Sequence, residues 1–230
     1  MEFKLKVFAL LYFCLNCTLK AQVNIDIGAS REEIDIAVTY ISELKAIYRR
    51  VGVNASIVTI PNTRADQFLK KSNVDAIAIK TSNYKATHAD LIRINVPIYE
   101  NVHFRLYALK SELPRIKKLA RPYTITSHGC LGCSEYIEKY KLSITNYQRD
   151  LKSCFNVLLR NRADLALLPD AVIGKDHLED VVAFDNRVLT TTYYHYIHKR
   201  IAHLKSKIEA EFRKSVASGA FIPKKLVKEN

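Results

Sequence analysis

The sequence predicts an α/β protein: two β-α-β-α-β units, joined by long extended segments and closed by a C-terminal helix. Three observations carry this expectation. Helical and extended periodicities alternate along the chain, the pattern of an α/β layer. The runs "VDAIAI" and "ADLALLP" are apolar enough to be buried on both faces, as strands of a parallel sheet are. The order of elements in the first half restarts at "YTITS" in the second.

Taken in order, "VNIDIG" is a short strand ending at Gly28. Ser30 caps a helix over "SREEIDIAVTYISELKAIYRRVG", with Glu33 three residues on as its capping-box partner. Ile34, Val38, Ile41, Leu44, Ile47 and Tyr48 share one face of that helix, and Gly52 closes it. "NASIVTI" is a strand, "NTRADQFLKKS" a helix capped by Asn62 or Thr63, and "VDAIAI" the buried strand. The next segment is extended around Pro97, and residues 101–109 alternate as a long strand. "LPRIKKLA" is a short helix with Pro114 in its first turn.

The second unit runs through the strand "YTITS", a glycine-cysteine turn and the helix "SEYIEKYK". "LSITNY" follows as a strand or edge segment. The helix "QRDLKSCFNVLLRNR" then presents Leu151, Cys154, Phe155, Leu158 and Leu159 on one face, before "ADLALLP". "DVVAFDNRVLTTTYYHYIHKR" is extended, and its alternation makes Tyr193 and Tyr194 members of a half-buried strand before they are ligand contacts. A long helix, "RIAHLKSKIEAEFRKSVASG", ends at Gly219.

Residues 1–21 have the layout of a secretory signal peptide. Lys4 and Lys6 give a positive start, the apolar run over 7–17 is too short to cross a bilayer permanently, and Ala21 is a small residue before a cut. No other run is long enough for a membrane span. The remaining chain, about 210 residues, suffices for one large domain or two small ones. It is basic: 36 Lys+Arg against 23 Asp+Glu over the whole chain, and 33 against 22 beyond residue 21. That balance favours anionic partners. Nucleic acid is not expected for an exported protein whose basic residues are dispersed and which has no RNP-like motif.

Cys130, Cys133 and Cys154 remain after the signal segment. In an oxidising compartment they are disulfide candidates first. A bridge from Cys130 or Cys133 to Cys154 would close a loop of ~20–25 residues and contribute ~3 kcal/mol. A redox C-x-x-C lacks its usual fold context. A metal site has only His128 as an added ligand, so none is expected. No Ser-His-Asp order, phosphate loop or paired carboxylates point to an enzyme, and no cofactor is expected.

The element order with four segments resembles the type-2 periplasmic solute-binding proteins, of the extracellular solute-binding family 3 kind associated with amino-acid uptake. The segments are "TRADQFLKKSNVDAIAI", "DLIRINVPIYE", "VLLRNRADLALLPDAVIGK" and "YYHYIHKRIAHLKSKIEAEFRKSVASGAFIPK". The resemblance implies two α/β sandwich lobes joined by two crossover strands. Residues 22–109 and 185–230 would form the first lobe and 110–184 the second.

It also implies a small polar ligand, amino-acid-like or anionic, in the cleft between the lobes. First-lobe contacts would come from Thr81, Ser82, Lys85 and Tyr99. Second-lobe contacts would come from Ser127, His128 and Gly129 at a helix entrance, and from Asp170. The implied setting is a periplasmic monomer that serves an ABC permease. The alternative is a protein that docks on a membrane-bound sensor and has lost classical amino-acid binding.

Three departures bear on that choice. Lys85 stands where the family places a bidentate arginine. The stretch "DIGASREE" passes almost directly from strand to helix, without an aromatic loop. Asp170 lies about one residue from the family's acid by strand counting.

Overall fold

The structure, a computed structural model, describes residues 23–36, 38–61, 65–71, 73–82, 84, 89–120, 122–127, 137–138, 142–148, 151–170 and 179–221. Eight strands form one continuous sheet: β1 (Val23–Ala29), β2 (Val53–Thr59), β3 (Ala76–Thr81), β4 (Leu91–Leu109), β5 (Thr124–Ser127), β6 (Ser143–Tyr147), β7 (Leu165–Pro169) and β8 (Val181–His198). Their order across the sheet is β2-β1-β3-β8-β4-β7-β5-β6. The helices are α1 (Arg31–Ile36), α2 (Val38–Arg50), α3 (Ala65–Lys70), α4 (Leu113–Ile116), α5 (Leu151–Leu159) and α6 (Lys205–Ala217).

Strand directions explain how this sheet becomes two lobes. β1 runs parallel to β2 and β3, and β5 runs parallel to β6 and β7. β4 and β8 pair antiparallel from Leu91↔His198 to Leu109↔Val181, crossing from one parallel group to the other. β8 is antiparallel to β3, so β3 points along β4 toward the second group. β7 is antiparallel to β4, so β5 and β7 point back toward the first. The carboxyl ends of both parallel groups therefore face the middle of the two crossing strands.

Each lobe has a core on both faces of its part of the sheet. In the first, α2 and α6 cover one face through Tyr40, Leu44, Ile47, Tyr48, Ile208 and Phe212. The other face holds Leu69 of α3 with Ile77 and Tyr196. In the second, Phe104, Leu106, Ile125 and Leu167 form one cluster. Tyr107, Phe155, Leu158 and Leu168 form the other under α5. Along β4, Ile98 belongs to the first lobe's core and Phe104 to the second's.

Local signals act as the sequence predicts. The Ser30 N–H donates to Glu33 Oε2 at 2.8 Å and the Glu33 N–H to Ser30 Oγ at 3.1 Å, a reciprocal capping box. Gly52 and Gly219 take positive φ, 82° and 69°, directly after α2 and α6. Among the elements that differ from the sequence reading, "LPRIKKLA" is helical only over Leu113–Ile116. β3 begins and ends two residues later than "VDAIAI", because Lys80 and Thr81 still pair with β8. The C-terminal helix opens as a 3-10 segment, Lys199–Leu204, with non-helical backbone at Ile201. Ile201 and Leu204 both pack in the core. No helix among the described residues is long and apolar enough to cross a membrane.

Candidate functional site

The first-lobe wall is built on β3, β8 and β4. Thr81 pairs with Tyr193, which pairs in turn with Tyr99, so the three lie in one row across the sheet. Tyr99 is half-buried and meets the Tyr40 ring edge-on at 6.3 Å. Burial raises the pKa of its phenol, so the phenol stays protonated. The Tyr196 hydroxyl donates to the carbonyls of Thr81, at 2.8 Å, and Ser82, at 3.2 Å. These bonds fix the backbone where β3 ends. Thr81 is nearly buried and Ser82 partly so.

A bulge sets which way this strand end faces. Ile77 pairs with Tyr196 and Lys80 with Tyr194, so Ala78 and Ile79 together oppose the single residue His195. Ala78 and Ile79 both enter the core beneath α2, which interrupts the period-2 alternation. The Ala78 carbonyl bonds to side chains: it accepts from the Tyr40 hydroxyl and lies 3.0 Å from His195 Nδ1. His195 Nε2 lies 2.8 Å from the Tyr48 hydroxyl. Desolvation lowers the His195 pKa to about 4 and raises that of Tyr48, so both are neutral. The neutral ring then donates from Nδ1 to Ala78 and accepts at Nε2 from Tyr48.

Past the bulge, Lys80 reaches Glu33 of α1, with Nζ and Oε1 2.8 Å apart. Their side chains are 9% and 16% exposed, so this pair is largely withdrawn from water. Sequence reading found Glu33 as a cap but missed Lys80. Its only signal is a lysine directly after the apolar run "AIAI" of residues 76–79.

The second-lobe wall is built on β5 and β7. Asp164 ties their starts together: Oδ2 accepts from the Thr124 N–H at 2.9 Å and from its hydroxyl at 2.7 Å. This sets β5 so that Ser127 is level with Leu167. Ser127 is fully buried, and its Oγ has no hydrogen-bond partner among the described residues.

Asp170 follows β7, and both of its oxygens are engaged. Oδ2 accepts from Arg105 Nε and Oδ1 from the Tyr107 hydroxyl, each at 2.8 Å. Arg105 and Tyr107 alternate along β4 beside Leu168 and Ala166, on the face beneath α5. Leu167, level with Ser127, packs on the opposite face. The structure thus brings Thr81 and Tyr99 into one row, with Ser82 at its end, and turns Asp170 to the other face from Ser127. Neither Arg105 nor Tyr107 was singled out by the sequence, where they are two members of an ordinary alternating strand.

Lys85, His128, Gly129, Cys130 and Cys133 lie outside the described residues. Cys154 is fully buried against Phe155 and Leu168, and no disulfide forms among the described residues. No group of three or more metal-ligating side chains occurs among the described residues.

No family model matches the sequence. No curated protein matches it. Solved structures do match its fold. A mutant of ArgBP from T. maritima superposes with a TM-score of 0.68 at 20% identity, over 86% of this chain and 91% of that one. The GluR0 ligand-binding core from Nostoc punctiforme, in complex with L-glutamate, gives 0.68 at 10% identity over 86% and 95%. A histidine kinase sensor domain with similarity to periplasmic binding proteins gives 0.66 at 15% identity over 87% and 93%. The chain has the two-lobed α/β fold of the type-2 periplasmic solute-binding proteins.

Proposed function

We propose that the protein is a solute-binding protein. Its lobes close on a small polar ligand, amino-acid-like or anionic, and it works in the periplasm with an ABC-type permease. The observation that carries this reading is Ser127. A buried hydroxyl without a partner costs about 1–3 kcal/mol, and a ligand held at the inter-lobe end of β5 would recover that cost. Thr81, Ser82, Lys85 and Tyr99 are proposed as first-lobe contacts and Ser127, His128 and Gly129 as second-lobe contacts, while Asp170, on the other face and bonded to Arg105 and Tyr107, is not. The Thr81 row and the Pro169–Phe104 pair stand five residues apart along β4, a span of about 16 Å at strand rise, which suits a small solute. Closure is a hinge motion about the two crossing strands.

Ligand-induced thermal stabilisation tests the reading. A panel of amino acids and small carboxylates is expected to contain compounds that stabilise by about 2.7 kcal/mol at a hundred times Kd. Ser127→Ala should lose most of that gain. A flat response to the whole panel would overturn the proposal.

A second reading is favoured by Asp170, whose carboxylate is already occupied by Arg105 and Tyr107. In that reading the clamp is a sensory or interaction module that docks on a membrane-bound signalling protein. Co-purification with a permease would sink it.

A further inference from the structure

We propose that the far end of the first lobe is a docking surface for an anionic phospholipid bilayer. The amino ends of β1, β2 and β3 and the carboxyl end of β8 meet at this end, opposite the cleft. Hydrogen bonds draw its turns together. The Asp75 N–H donates to the Asp26 carbonyl at 2.7 Å, the His198 N–H to the Asp75 carbonyl at 2.8 Å and the Lys199 N–H to the Asp90 carbonyl at 2.9 Å.

The surface these turns make is basic. Arg49 lies in the last turn of α2 ahead of β2, Lys70 and Lys71 close α3 ahead of β3, and Lys199 follows β8. All four are exposed. The stretches 49–54, 70–74, 84–89 and 199–208, which lead into or out of these strand ends, hold no acidic residue. The acids that stand there are Asp26, Asp75 and Asp90. Two are committed within the fold: Asp26 Oδ1 accepts from the Ser56 hydroxyl and Asp75 Oδ1 from Arg200 Nε, each at 2.6 Å. Asp90 is exposed, with its Oδ1 3.5 Å from Lys199 Nζ. A cluster of exposed cations thus faces one exposed acid.

The chain that leads into this end makes a bilayer the partner it fits. β1 begins here at Val23, itself exposed. Upstream, the apolar run 7–17 has Lys4 and Lys6 before it and Lys20 after it. Residues 18–22 join that run to β1, a reach of at most about 18 Å. While the run lies in a membrane, this end of the lobe is held close to the headgroups. Lysines and arginines clustered beside a membrane-inserted segment are attracted by anionic lipid. With this end on the bilayer, β1 and β3 point away from it, and the cleft stays open to solute whatever that solute is.

The test mixes the full chain with vesicles of phosphatidylcholine alone and with vesicles that contain about 30% phosphatidylglycerol, and reads partition by flotation. Residues 1–21 are the same in every sample, so the ratio of the two partition coefficients reports the charge-dependent part. The expected preference for the anionic vesicles is about tenfold or more in low salt, and it should vanish at about 0.5 M salt. Lys70→Glu, Lys71→Glu and Lys199→Glu together should abolish it. Lys110→Glu, Lys117→Glu and Lys118→Glu together reverse as many exposed charges at the far end of the second lobe and should leave it in place. No preference in the native chain, or two triple variants that behave alike, would overturn the proposal.

Discussion

The Tyr48 hydroxyl donates to Nε2 of His195 at 2.8 Å, and through that bond helix α2 holds the strand that returns from the second lobe. The imidazole passes the connection on to the Ala78 carbonyl and stacks on Phe212 at 5.5 Å. Burial keeps the ring neutral, with a pKa of about 4 against 6.5 for the unfolded chain. Between those values the unfolded chain binds a proton that the folded one refuses. Stability should therefore fall as pH drops from 6.5 to 4, by on the order of 3 kcal/mol for this group. Urea unfolding across that window measures it. His195→Gln should flatten the profile, and an unchanged slope in the variant would assign the loss to other groups.

Lys80 and Glu33 should behave as a coupled pair. Removing one charge from a largely buried pair leaves the other uncompensated, so Lys80→Met is expected to cost about 3 kcal/mol. Glu33→Gln keeps a carbonyl oxygen for the Ser30 N–H and should cost less. The double variant should be more stable than the sum of the singles predicts, by about 1 kcal/mol or more. Strict additivity in denaturant melts would mean the pair is not an energetic unit.

Asn101 has a φ of 54° in the stretch of β4 where the core passes from one lobe to the other. Asparagine tolerates this left-handed backbone, glycine is at ease in it and a β-branched residue is not. Asn101→Val is expected to destabilise by about 1–2 kcal/mol, whereas Asn101→Gly stays within about 0.5 kcal/mol. Chemical denaturation of the two variants distinguishes this from a side-chain role, in which both would lose stability alike.

Ser127→Ala should stabilise the ligand-free protein. The change removes a buried hydroxyl that has no hydrogen-bond partner among the described residues, and about 1 kcal/mol is expected back. Loss of stability in the ligand-free melt would show that the hydroxyl already has a partner.

What the sequence disclosed follows from how local each cause is. The capping box of Ser30 and Glu33, the closing glycines 52 and 219, and the apolar faces of α2 and α5 all depend on residues within one or two turns, although Val38 and Leu159, read as members of those faces, are exposed at the ends of their helices. Each is legible in the order of residues alone. The ordered β-α-β-α-β units and the extended crossings are legible too, because periodicity reports which faces are buried. The candidate wall is only half legible. Thr81 and Ser127 end strands that the order of elements already marks, whereas Tyr99 lies midway along the crossing strand β4.

The sequence by itself determined the order of the strands and helices and the two crossings, since these rest on short-range pattern. Only the tertiary structure decided what the side chains at the strand ends have left to offer a ligand. The bulge opposite His195 reverses the alternation of β3, and Lys80 beyond it reaches Glu33. Asp170 meets Arg105 and Tyr107 across more than 60 residues of chain. A carboxylate that reads as an open ligand contact in one dimension is already paired in three, because hydrogen-bond partners are chosen by sheet register and not by distance along the chain.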